Sequence, residues 1–298
     1  MNDAFFAHLA EKDVEYKRGL KISALSSVGI GGVASAVLFP DSEEKMIFSL
    51  RLLSENNIKH RILGGLTNVL PSDECYDGVL LLTRRMRAAE VDGNAVVAEC
   101  GMTIPRLCAL CAEAGLSGLE ALQGIPGTLG GAIYSNAGAF GTEIGELVES
   151  VRAYSYNRRE QVCLSALDLR FGYRRSILSS ERYALTSARL KLKYGSTEKI
   201  LSDIEEFKAR RQSSQPHGMP SLGSIFKRVG DVSAGYYIDR CGLKGYRVGG
   251  AAVSHKHAGF IVNVGSATSS DFRDLIDYVK EKVYEKFAVK LIEEIEYI

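Results

Sequence analysis

A glycine-rich run over residues 115–141, GLSGLEALQGIPGTLGGAIYSNAGAFG, is the feature that most limits what this chain can fold into. Each glycine costs conformational entropy unless the space of its missing side chain is used, so neither an amphipathic helix nor an ordinary strand tolerates this density. A flexible linker is disfavoured, because apolar residues such as Leu122 and Ile133 are interleaved with the glycines. The run therefore predicts an ordered loop whose backbone lies against a ligand, with N–H groups near Thr128 and Gly130 suited to an anion.

The composition sets the class of protein. With 298 residues the chain is long enough for about two domains, and its 46% hydrophobic and 24% charged residues are typical of a soluble globular protein. A net charge of +1 gives no reason to expect nucleic acid or an anionic membrane as a partner. No apolar run approaches the roughly 18 residues of a membrane-spanning helix, and residues 1–19 lack the apolar centre of a signal peptide. A cytoplasmic location is therefore expected.

The six cysteines are expected to be free thiols, as is usual in a reducing compartment. Cys108 and Cys111 form a CxxC pair, but Leu107 and Ala114 extend the spacing of a buried helix face through them. The pair also lacks a second CxxC or a nearby histidine. We therefore expect these thiols to pack as small hydrophobic groups, and we predict no metal site.

Periodicity and turn signals predict a mixture of helices and strands. The predicted helices cover residues 1–20, 41–56, 103–115, 200–211 and 234–241. A last helix beginning at 269 or 270 is expected to bury an apolar stripe of Phe272, Leu275, Ile276, Val279 and Val283. The predicted strands cover residues 79–83, 95–100, 148–155, 161–164, 186–192, 251–254, 259–264 and 291–298, and those over 148–155 and 161–164 are expected to form a hairpin. Asp41 and Glu44 match a capping box at the start of the second helix, and residues 194–197 form the best candidate boundary between domains.

A second glycine turn follows a short apolar strand. Gly64 and Gly65 lead directly into Leu66, Thr67 and Asn68. Such a passage from strand to turn can present backbone N–H groups to a diphosphate. It is neither a GxGxxG dinucleotide fingerprint nor a Walker loop, which would need a following GK[ST]. Judged alone, the segment is also compatible with an ordinary β-turn.

Seven segments, in order along nearly the whole chain, resemble the UDP-N-acetylenolpyruvoylglucosamine reductase family, flavoproteins of bacterial peptidoglycan synthesis. They are VGIGGVA (28–34), ILGGLTNVL (62–70), the run over 115–141, FGYRRS (171–176), QPHGMPSLGSIFK (215–227), GLKGYRVGGAAVSHKHAGFIVN (242–263) and EEIEYI (293–298). The third segment is long and specific, which disfavours chance similarity. The chain is too short for the extra substrate-covering insert of the longer subclass, so it resembles the compact subclass.

The resemblance implies an α+β fold. A two-lobed FAD-binding domain of the vanillyl-alcohol-oxidase (PCMH) type would span residues 1–195, with lobes of roughly 1–78 and 79–195, and a smaller α+β substrate-binding domain would span 196–298. The implied reaction is the NADPH-dependent reduction of UDP-N-acetylglucosamine enolpyruvate to UDP-N-acetylmuramate through non-covalently bound FAD. The partners would then be a UDP-sugar and NADPH, and a monomer is expected.

The same resemblance assigns side-chain-poor positions to FAD. Gly64, Gly65, Thr67 and Asn68 would surround the pyrophosphate, and Gly124, Gly127, Thr128, Gly130, Gly131, Asn136 and Gly138 would line the ribityl chain and the isoalloxazine. Both sets agree with the expectation, drawn from the residues alone, that glycine-rich backbone approaches a ligand closely.

Three side chains take catalytic roles on this resemblance. Arg174 would bind the substrate carboxylate with two parallel hydrogen bonds and stabilise its growing charge. Ser224 would donate a proton to carbon, and Glu294 would assist the enol-like intermediate. From the residues alone, an exposed arginine, a turn-capping serine and a solvated edge carboxylate are ordinary alternatives, and Glu293 competes with Glu294 for the acidic role.

Four further residues are candidates for contacts with the phosphates or the sugar: Tyr173, Arg210, Lys227 and Arg228. Three positions depart from the family pattern. Leu66 stands where a glycine is usual, which bears on how closely its turn approaches the diphosphate. Ser214 stands where a basic residue is common and Val229 where a proline is usual, and these two weaken the substrate contacts more than the catalytic assignments.

Two other functions compete with the reductase. A flavin-dependent oxidase of the same fold, acting on an alcohol or sugar, predicts a covalent flavin–histidine link, and neither glycine-rich loop contains a histidine. A non-catalytic UDP-sugar- or flavin-binding regulator predicts the loss of a catalytic residue, and Arg174, Ser224 and Glu294 are all present. The reductase is therefore favoured.

Overall fold

The structure is a computed structural model that describes residues 1–180 and 182–298. Its helices are α1 (Asp3–Glu11), α2 (Glu43–Glu55), α3 (Ile104–Glu113), α4 (Leu129–Ser135), α5 (Thr197–Ser214), α6 (Ala234–Arg240) and α7 (Ser269–Phe287). Its strands are β1 (Glu15–Lys21), β2 (Val33–Phe39), β3 (His60–Leu63), β4 (Val69–Leu70), β5 (Tyr76–Leu82), β6 (Ala89–Asp92), β7 (Ala95–Glu99), β8 (Leu116–Ser117), β9 (Gly138–Ala139), β10 (Thr142–Glu143), β11 (Val148–Ser155), β12 (Glu160–Ser165), β13 (Tyr183–Lys191), β14 (Lys193–Tyr194), β15 (Ser221–Ser224), β16 (Arg247–Val248), β17 (Ala251–Val253), β18 (Phe260–Asn263) and β19 (Glu296–Tyr297).

The chain divides into two compact units, each built from separate stretches of sequence. The first unit comprises Met1–Arg18, Ala36–Gly65 and Gly78–Arg210, and the second comprises Gly19–Ser35, Leu66–Asp77 and Arg211–Ile298. The predicted division into an FAD-binding domain (1–195) and a substrate-binding domain (196–298) concerns function as well as a boundary, and it stays a prediction.

An antiparallel sheet of five strands, in the order β12-β11-β13-β7-β6, organises the first unit. β11 and β12 form the predicted hairpin, with Val151 opposite Leu164. The chain also forms a four-stranded sheet in the order β1-β2-β5-β3, in which β3 runs parallel to β5. The core of the first unit joins apolar side chains of these strands with those of α2 and α3, among them Leu50, Leu107 and Tyr154.

The CxxC pair lies in this core. Cys108 and Cys111 are each 1% exposed on α3. The Cys108 thiol donates to the carbonyl of Leu119, and burial raises the pKa of the Cys111 thiol to about 12. A buried thiol of this kind stays protonated at neutral pH and is unreactive. These cysteines pack as apolar groups.

Two predicted helix boundaries need correction. The prediction of one helix over residues 1–20 is wrong in its second half, because α1 ends at Glu11 and a strand follows. Asp13 has a φ of +52°, a left-handed conformation that interrupts a right-handed helix. The second helix begins one residue later than predicted, since the hydroxyl of Ser42 rather than the carboxylate of Asp41 accepts the N–H of Lys45.

The glycine-rich run is ordered, but it is not a loop throughout. The short helix α4 occupies its centre, so the expectation that no helix forms there is wrong for these residues. Thr128 caps α4 by accepting the N–H of Gly131 at 3.4 Å, and Asn136 ends it with a φ of +47°. Gly130 allows close packing, because a Cβ there would lie 3.0 Å from the Cβ of Cys100.

The second unit contains a four-stranded antiparallel sheet in the order β15-β18-β17-β16. Its core joins Val28 and Ile261 with Phe272, Ile276 and Val279 on the buried face of α7. This face confirms the predicted apolar stripe of the last helix. Within the described part of the chain, no helix combines the length and the apolar character needed to cross a bilayer.

The chain terminus is less regular than predicted. Instead of a strand over residues 291–298, only β19 is a strand, and it pairs in parallel with β4. Upstream of β19 the backbone bonds to other partners, since the N–H of Glu294 donates to the carbonyl of Ile225 at 2.8 Å. Leu291 and Ile295 are buried and Ile292 is exposed, so the segment is anchored in the core without forming a continuous strand.

Asp73 ties the stretch Leu66–Asp77 to the start of α7. Its carboxylate accepts the N–H of Ser269 at 2.9 Å and that of Ser270 at 3.3 Å. Because a carboxylate at a helix N-terminus satisfies donors that lack a helical partner, Asp73→Ala should lower the free energy of unfolding by about 1 kcal/mol in urea titrations. Glu74→Ala, a change in a neighbouring exposed carboxylate, is the control, and equal losses in both variants would contradict this account.

Candidate active site

The Gly64–Gly65 turn is held from one side by an arginine. Arg84 donates from Nε to the carbonyl of Gly64 at 3.2 Å and from a terminal nitrogen to the carbonyl of Gly65 at 2.8 Å. Burial lowers the pKa of the Arg84 guanidinium below its usual value. Because a trans peptide places its C=O and N–H on opposite sides, the N–H of Gly65 points away from Arg84. The turn therefore presents an N–H group on its other face, as binding of an anion requires.

The glycine turn packs directly against the start of α4. A Cβ built on Gly64 would lie 2.2 Å from Oγ1 of Thr128, which is 3% exposed and caps that helix. Gly131 is exposed, and a Cβ there would meet only Thr128 Oγ1, at 3.7 Å. Two predicted FAD-binding segments are thus brought together, with open space beside bare backbone. This arrangement fits a flavin nucleotide, which needs backbone donors and no obstructing side chains.

Gly64→Ala should damage both the fold and the FAD site. The added methyl group has to displace Thr128 from its cap, so we expect a loss of about 1–3 kcal/mol in the free energy of unfolding and weaker FAD binding. Urea titration of the ligand-free protein and fluorescence titration with FAD measure the two effects. In a Thr128→Ala background the clash with Oγ1 is absent, and the alanine at position 64 should cost clearly less. Additive losses would show that the close contact is not the cause.

Leu66 adopts a backbone conformation that glycine reaches without strain. Its φ is +50°, in the left-handed region that glycine adopts without strain, and its side chain is 2% exposed. The departure from the family pattern therefore leaves the local backbone in a conformation that glycine would also adopt.

The side chain of Arg174 contacts the C-terminal part of the glycine-rich run. Its guanidinium donates to the carbonyl of Asn136 at 3.4 Å and to that of Gly138 at 3.2 Å, and it lies 3.7 Å from a carboxylate oxygen of Glu143. The Arg174 side chain is 17% exposed. Residues predicted separately for catalysis and for flavin binding are therefore in direct contact.

The side chain of Asn136 holds together the segments that meet at this contact. Its amide nitrogen donates to a carboxylate oxygen of Glu143 at 2.7 Å and to the carbonyl of Gly172 at 3.1 Å. Its amide oxygen accepts the N–H of Gly145 at 3.0 Å, and the residue is 2% exposed. The predicted cofactor role of Asn136 stays a prediction, but its side chain is fully used in holding the loop. Glu143 was not anticipated, and an acid just after the last glycine of the run was its only signal in the sequence.

Two arginines near this network lie over aromatic rings. The Arg174 guanidinium lies 5.0 Å from the ring centroid of Tyr173, which is 45% exposed. Arg210 lies 4.9 Å from the ring of Phe140 and 5.8 Å from that of Phe207, and the two phenylalanines stack with centroids 5.1 Å apart. The Arg210 guanidinium is therefore held over apolar rings.

Ser224 and Glu294 lie on neighbouring backbone segments of the second unit. Ser224 ends β15, and its hydroxyl donates to the carbonyl of Phe226 at 3.2 Å. The N–H of Glu294 bonds to the carbonyl of Ile225, and the carbonyl of Glu294 accepts the amide of Asn68 at 3.0 Å. The side chain of Asn68 thus fixes the backbone of a predicted catalytic residue. Its predicted contact with FAD stays a prediction.

The remaining predicted residues are spread over both units. The N–H of Lys227 donates to the carbonyl of Ile292 at 2.8 Å, which places it beside the terminal segment, whereas Arg228 is exposed and donates to the carbonyl of Asp231. Thr67 and Gly124 are half-buried, and Gly127 has a φ of +134°. Arg174 and Arg210 belong to the first unit, and Ser224, Lys227, Arg228 and Glu294 to the second.

His257 lies beside Ser224. A Cβ built on Gly259 would lie 3.0 Å from Cε1 of His257 and 3.4 Å from Oγ of Ser224, so a side chain there would crowd the His257 ring. Burial lowers the pKa of the His257 imidazole, and its Nδ1 accepts the N–H of Gly259 at 3.1 Å. The ring is therefore neutral with its proton on Nε2. Among the described residues, no group of three or more His, Cys, Asp or Glu side chains is arranged to hold a metal ion.

Comparison with known proteins identifies two regions of similarity. Residues 215–298 match the family described as UDP-N-acetylenolpyruvoylglucosamine reductase, C-terminal domain, and residues 34–157 match the family described as FAD binding domain. The UDP-N-acetylenolpyruvoylglucosamine reductase of Caldicellulosiruptor bescii is 40% identical over 296 residues, which cover 99% of this chain and 94% of that protein. The protein of the same name from Thermotoga maritima is 42% identical over 277 residues, covering 93% of this chain and 96% of that one.

A solved structure agrees with this similarity. The crystal structure of UDP-N-acetylenolpyruvylglucosamine reductase from Thermus caldophilus superposes with a TM-score of 0.81 at 32% identity, covering 95% of this chain and 98% of that one. An alkyldihydroxyacetonephosphate synthase, at 16% identity and a TM-score of 0.50, covers 65% of this chain and 41% of that one, and shares the fold alone. The predicted α+β fold, an FAD-binding domain of the vanillyl-alcohol-oxidase type followed by a smaller C-terminal domain, is confirmed.

Proposed function

We propose, because this chain belongs to the UDP-N-acetylenolpyruvoylglucosamine reductase family of FAD-dependent oxidoreductases, that it reduces UDP-N-acetylglucosamine enolpyruvate to UDP-N-acetylmuramate with NADPH as the hydride donor. The observation that supports this most is the seat of Arg174, whose guanidinium bonds to the carbonyls of Asn136 and Gly138 in the run assigned to the flavin. A cation there is suited to a substrate carboxylate beside the cofactor.

The chemistry that bound FAD supplies is hydride transfer from NADPH to the terminal vinyl carbon of the enolpyruvyl ether. The glycine turn at Gly64 and Gly65 would hold the pyrophosphate through backbone N–H groups, and Gly131, with the neighbouring bare backbone, would admit the rest of the cofactor. The other residues of the proposed set are Thr67, Asn68, Gly124, Gly127, Thr128, Gly130, Asn136 and Gly138.

Arg174 would bind the substrate carboxylate and stabilise the negative charge that grows on it as the vinyl group is reduced. A guanidinium suits this role because it stays charged and presents a planar pair of donors. Glu143, 3.7 Å away, would help to orient the arginine before substrate arrives. Tyr173, Arg210, Lys227 and Arg228 are the proposed contacts to the phosphates and sugar.

Ser224 would protonate the carbon next to the carboxylate. Its hydroxyl bonds to the carbonyl of Phe226 at 3.2 Å, a long bond for an O–H donor, so it can rotate toward a substrate at small cost. A hydroxyl is a weak acid, but the carbanionic carbon is far more basic, and proximity supplies most of the rate. Glu294 would assist the enol-like intermediate from a backbone fixed on both sides.

Product analysis in D₂O tests the proposed reaction. With NADPH as donor, the product should carry a solvent-derived deuterium on the carbon next to the carboxylate, and NADPH oxidation should depend on the enolpyruvyl nucleotide. An oxidase would instead consume O₂ with an alcohol or sugar, and a non-catalytic binder would take up the nucleotide without turnover. Either result would refute the reductase. Because the proposed reactants are soluble nucleotides, the cytoplasm stays the expected location.

A further inference from the structure

The segment that carries Glu294 has little regular structure of its own. β19 contains only two residues, and Glu294 precedes it. Backbone hydrogen bonds link this segment to two others: the N–H of Glu294 to the carbonyl of Ile225 at 2.8 Å, and the N–H of Glu296 to the carbonyl of Asn68 at 2.9 Å. Backbone bonds fix the position of the segment, and the contacts of its side chains set their directions.

The neighbouring residue, Glu293, supplies a restraint. One of its carboxylate oxygens lies 2.9 Å from Nζ of Lys280, and the other accepts the hydroxyl of Tyr297. The Glu293 side chain is 20% exposed. The Arg273 guanidinium lies 4.3 Å from the ring centroid of Tyr297 and holds that ring from its other side. Glu293 is therefore bound at both oxygens, once to α7 and once within the terminal segment.

α7 is a rigid support for this restraint. Arg273 and Lys280 lie seven residues apart, which places them on one face of the helix. The adjoining face of α7 is buried through Phe272, Ile276 and Val279, so α7 cannot shift without disturbing the core of the unit. In extended backbone, successive side chains point to opposite sides. Holding Glu293 against α7 therefore directs Glu294 away from it.

We propose that Glu293, Lys280 and Tyr297 form a clamp that positions the carboxyl group of Glu294 for the proton-transfer step, so that Glu293 is a positioning residue of this enzyme. The inference rests on the proposed function and deepens it. It also distinguishes the two adjacent acids, which the sequence left in competition. The carboxylate of Glu293 is occupied by the clamp, and that of Glu294 is directed to the reaction.

The test compares Glu293→Ala with Asp277→Ala as its matched control. Asp277 is the other carboxylate partner of Lys280, at 3.2 Å, but its side chain is 74% exposed and it is not part of the terminal segment. In ligand-free protein, hydrogen exchange of the amides of Glu294 and Glu296 should accelerate by about tenfold or more in Glu293→Ala and remain unchanged in Asp277→Ala, because loss of the clamp lets the segment open locally.

In single-turnover experiments, Glu293→Ala should slow reoxidation of the reduced enzyme by the enolpyruvyl nucleotide by about ten- to a hundredfold, with reduction by NADPH unchanged, since misplacement of a catalytic group by about 1 Å has effects of this size. Because the clamp acts through Glu294, the same substitution in a Glu294→Gln background should have less than about a twofold further effect. Lys280→Arg should retain the wild-type rate and Lys280→Met should not.

The outcomes separate the two proposals. If the nucleotide does not reoxidise the wild-type enzyme, the proposed function is wrong and the positioning role falls with it. If the wild type is reoxidised but Glu293→Ala reacts at the same rate, or slows equally in the Glu294→Gln background, the clamp is wrong and the function stands. Slower reduction by NADPH in Glu293→Ala would indicate general damage and would also overturn the clamp.

Discussion

Ser224→Ala should slow reoxidation of the reduced enzyme by the enolpyruvyl nucleotide by about 10²–10⁴-fold, the range that a positioned general acid contributes. Reduction by NADPH should proceed at the wild-type rate, because the Ser224 hydroxyl acts only on the carbon that receives a proton. Stopped-flow absorbance of the flavin, under anaerobic conditions, measures the two half-reactions separately. The hydroxyl bonds only weakly to its present acceptor, the carbonyl of Phe226 at 3.2 Å, so its removal should leave the fold intact.

Ser221→Ala is the matched control for this prediction. Ser221 lies at the other end of the same strand, and it contributes its backbone carbonyl, not its side chain, to a hydrogen bond with Ser27. This variant should behave as the wild type in both half-reactions. Rapid reoxidation of Ser224→Ala would exclude Ser224 as the proton donor.

Arg174→Lys should reduce kcat for the overall reaction by about 10²–10³-fold, comparable to the loss of one preorganised donor at a site of developing charge. Lysine keeps the charge, but it cannot reproduce the planar donors that reach the carbonyls of Asn136 and Gly138 together. The KM for the enolpyruvyl nucleotide should also rise, since the ground-state carboxylate loses a partner. Steady-state kinetics with NADPH saturating separates the two parameters.

Arg175→Lys provides the comparison for Arg174. Arg175 is adjacent in sequence and exposed; its N–H and C=O bond to those of Gly172, and its side chain lies beside Gly172 rather than on the glycine-rich run. Its replacement should change kcat by less than about twofold, as is usual for a surface substitution. Equal effects at the two positions would show that the contact of Arg174 with the glycine-rich run has no special role.

Long elements with strong local signals were predictable from the sequence. The stripe of α7 and the β11–β12 hairpin follow from periodicity, since their residues bury one face whatever the rest of the chain does. Helix α1 was predicted too long, because the residues after Asp13 are equally compatible with a strand and pairing in a sheet decides between them. The two discontinuous units were not predictable locally, because contacts such as Asp73 with Ser269 join residues far apart in the chain.

The candidate site shows the same limit. Glycine density indicated a ligand-facing backbone, and the close approach of Gly64 to Thr128 gives a packing reason for the glycine at position 64. The catalytic assignments came from resemblance, since arginine, serine and glutamate are individually common. Glu143 carried only a weak local signal and the clamp at Glu293 carried none, because their roles depend on partners that only the fold brings near.

The most direct test of the account is one anaerobic titration of the purified protein followed by absorbance. The protein should be yellow with bound FAD, NADPH should bleach the flavin absorbance, and the enolpyruvyl nucleotide should restore it in stoichiometric amount. A colourless protein that takes up no FAD, or a bleached protein whose colour the nucleotide does not restore, would contradict the assignment of this chain as a working reductase.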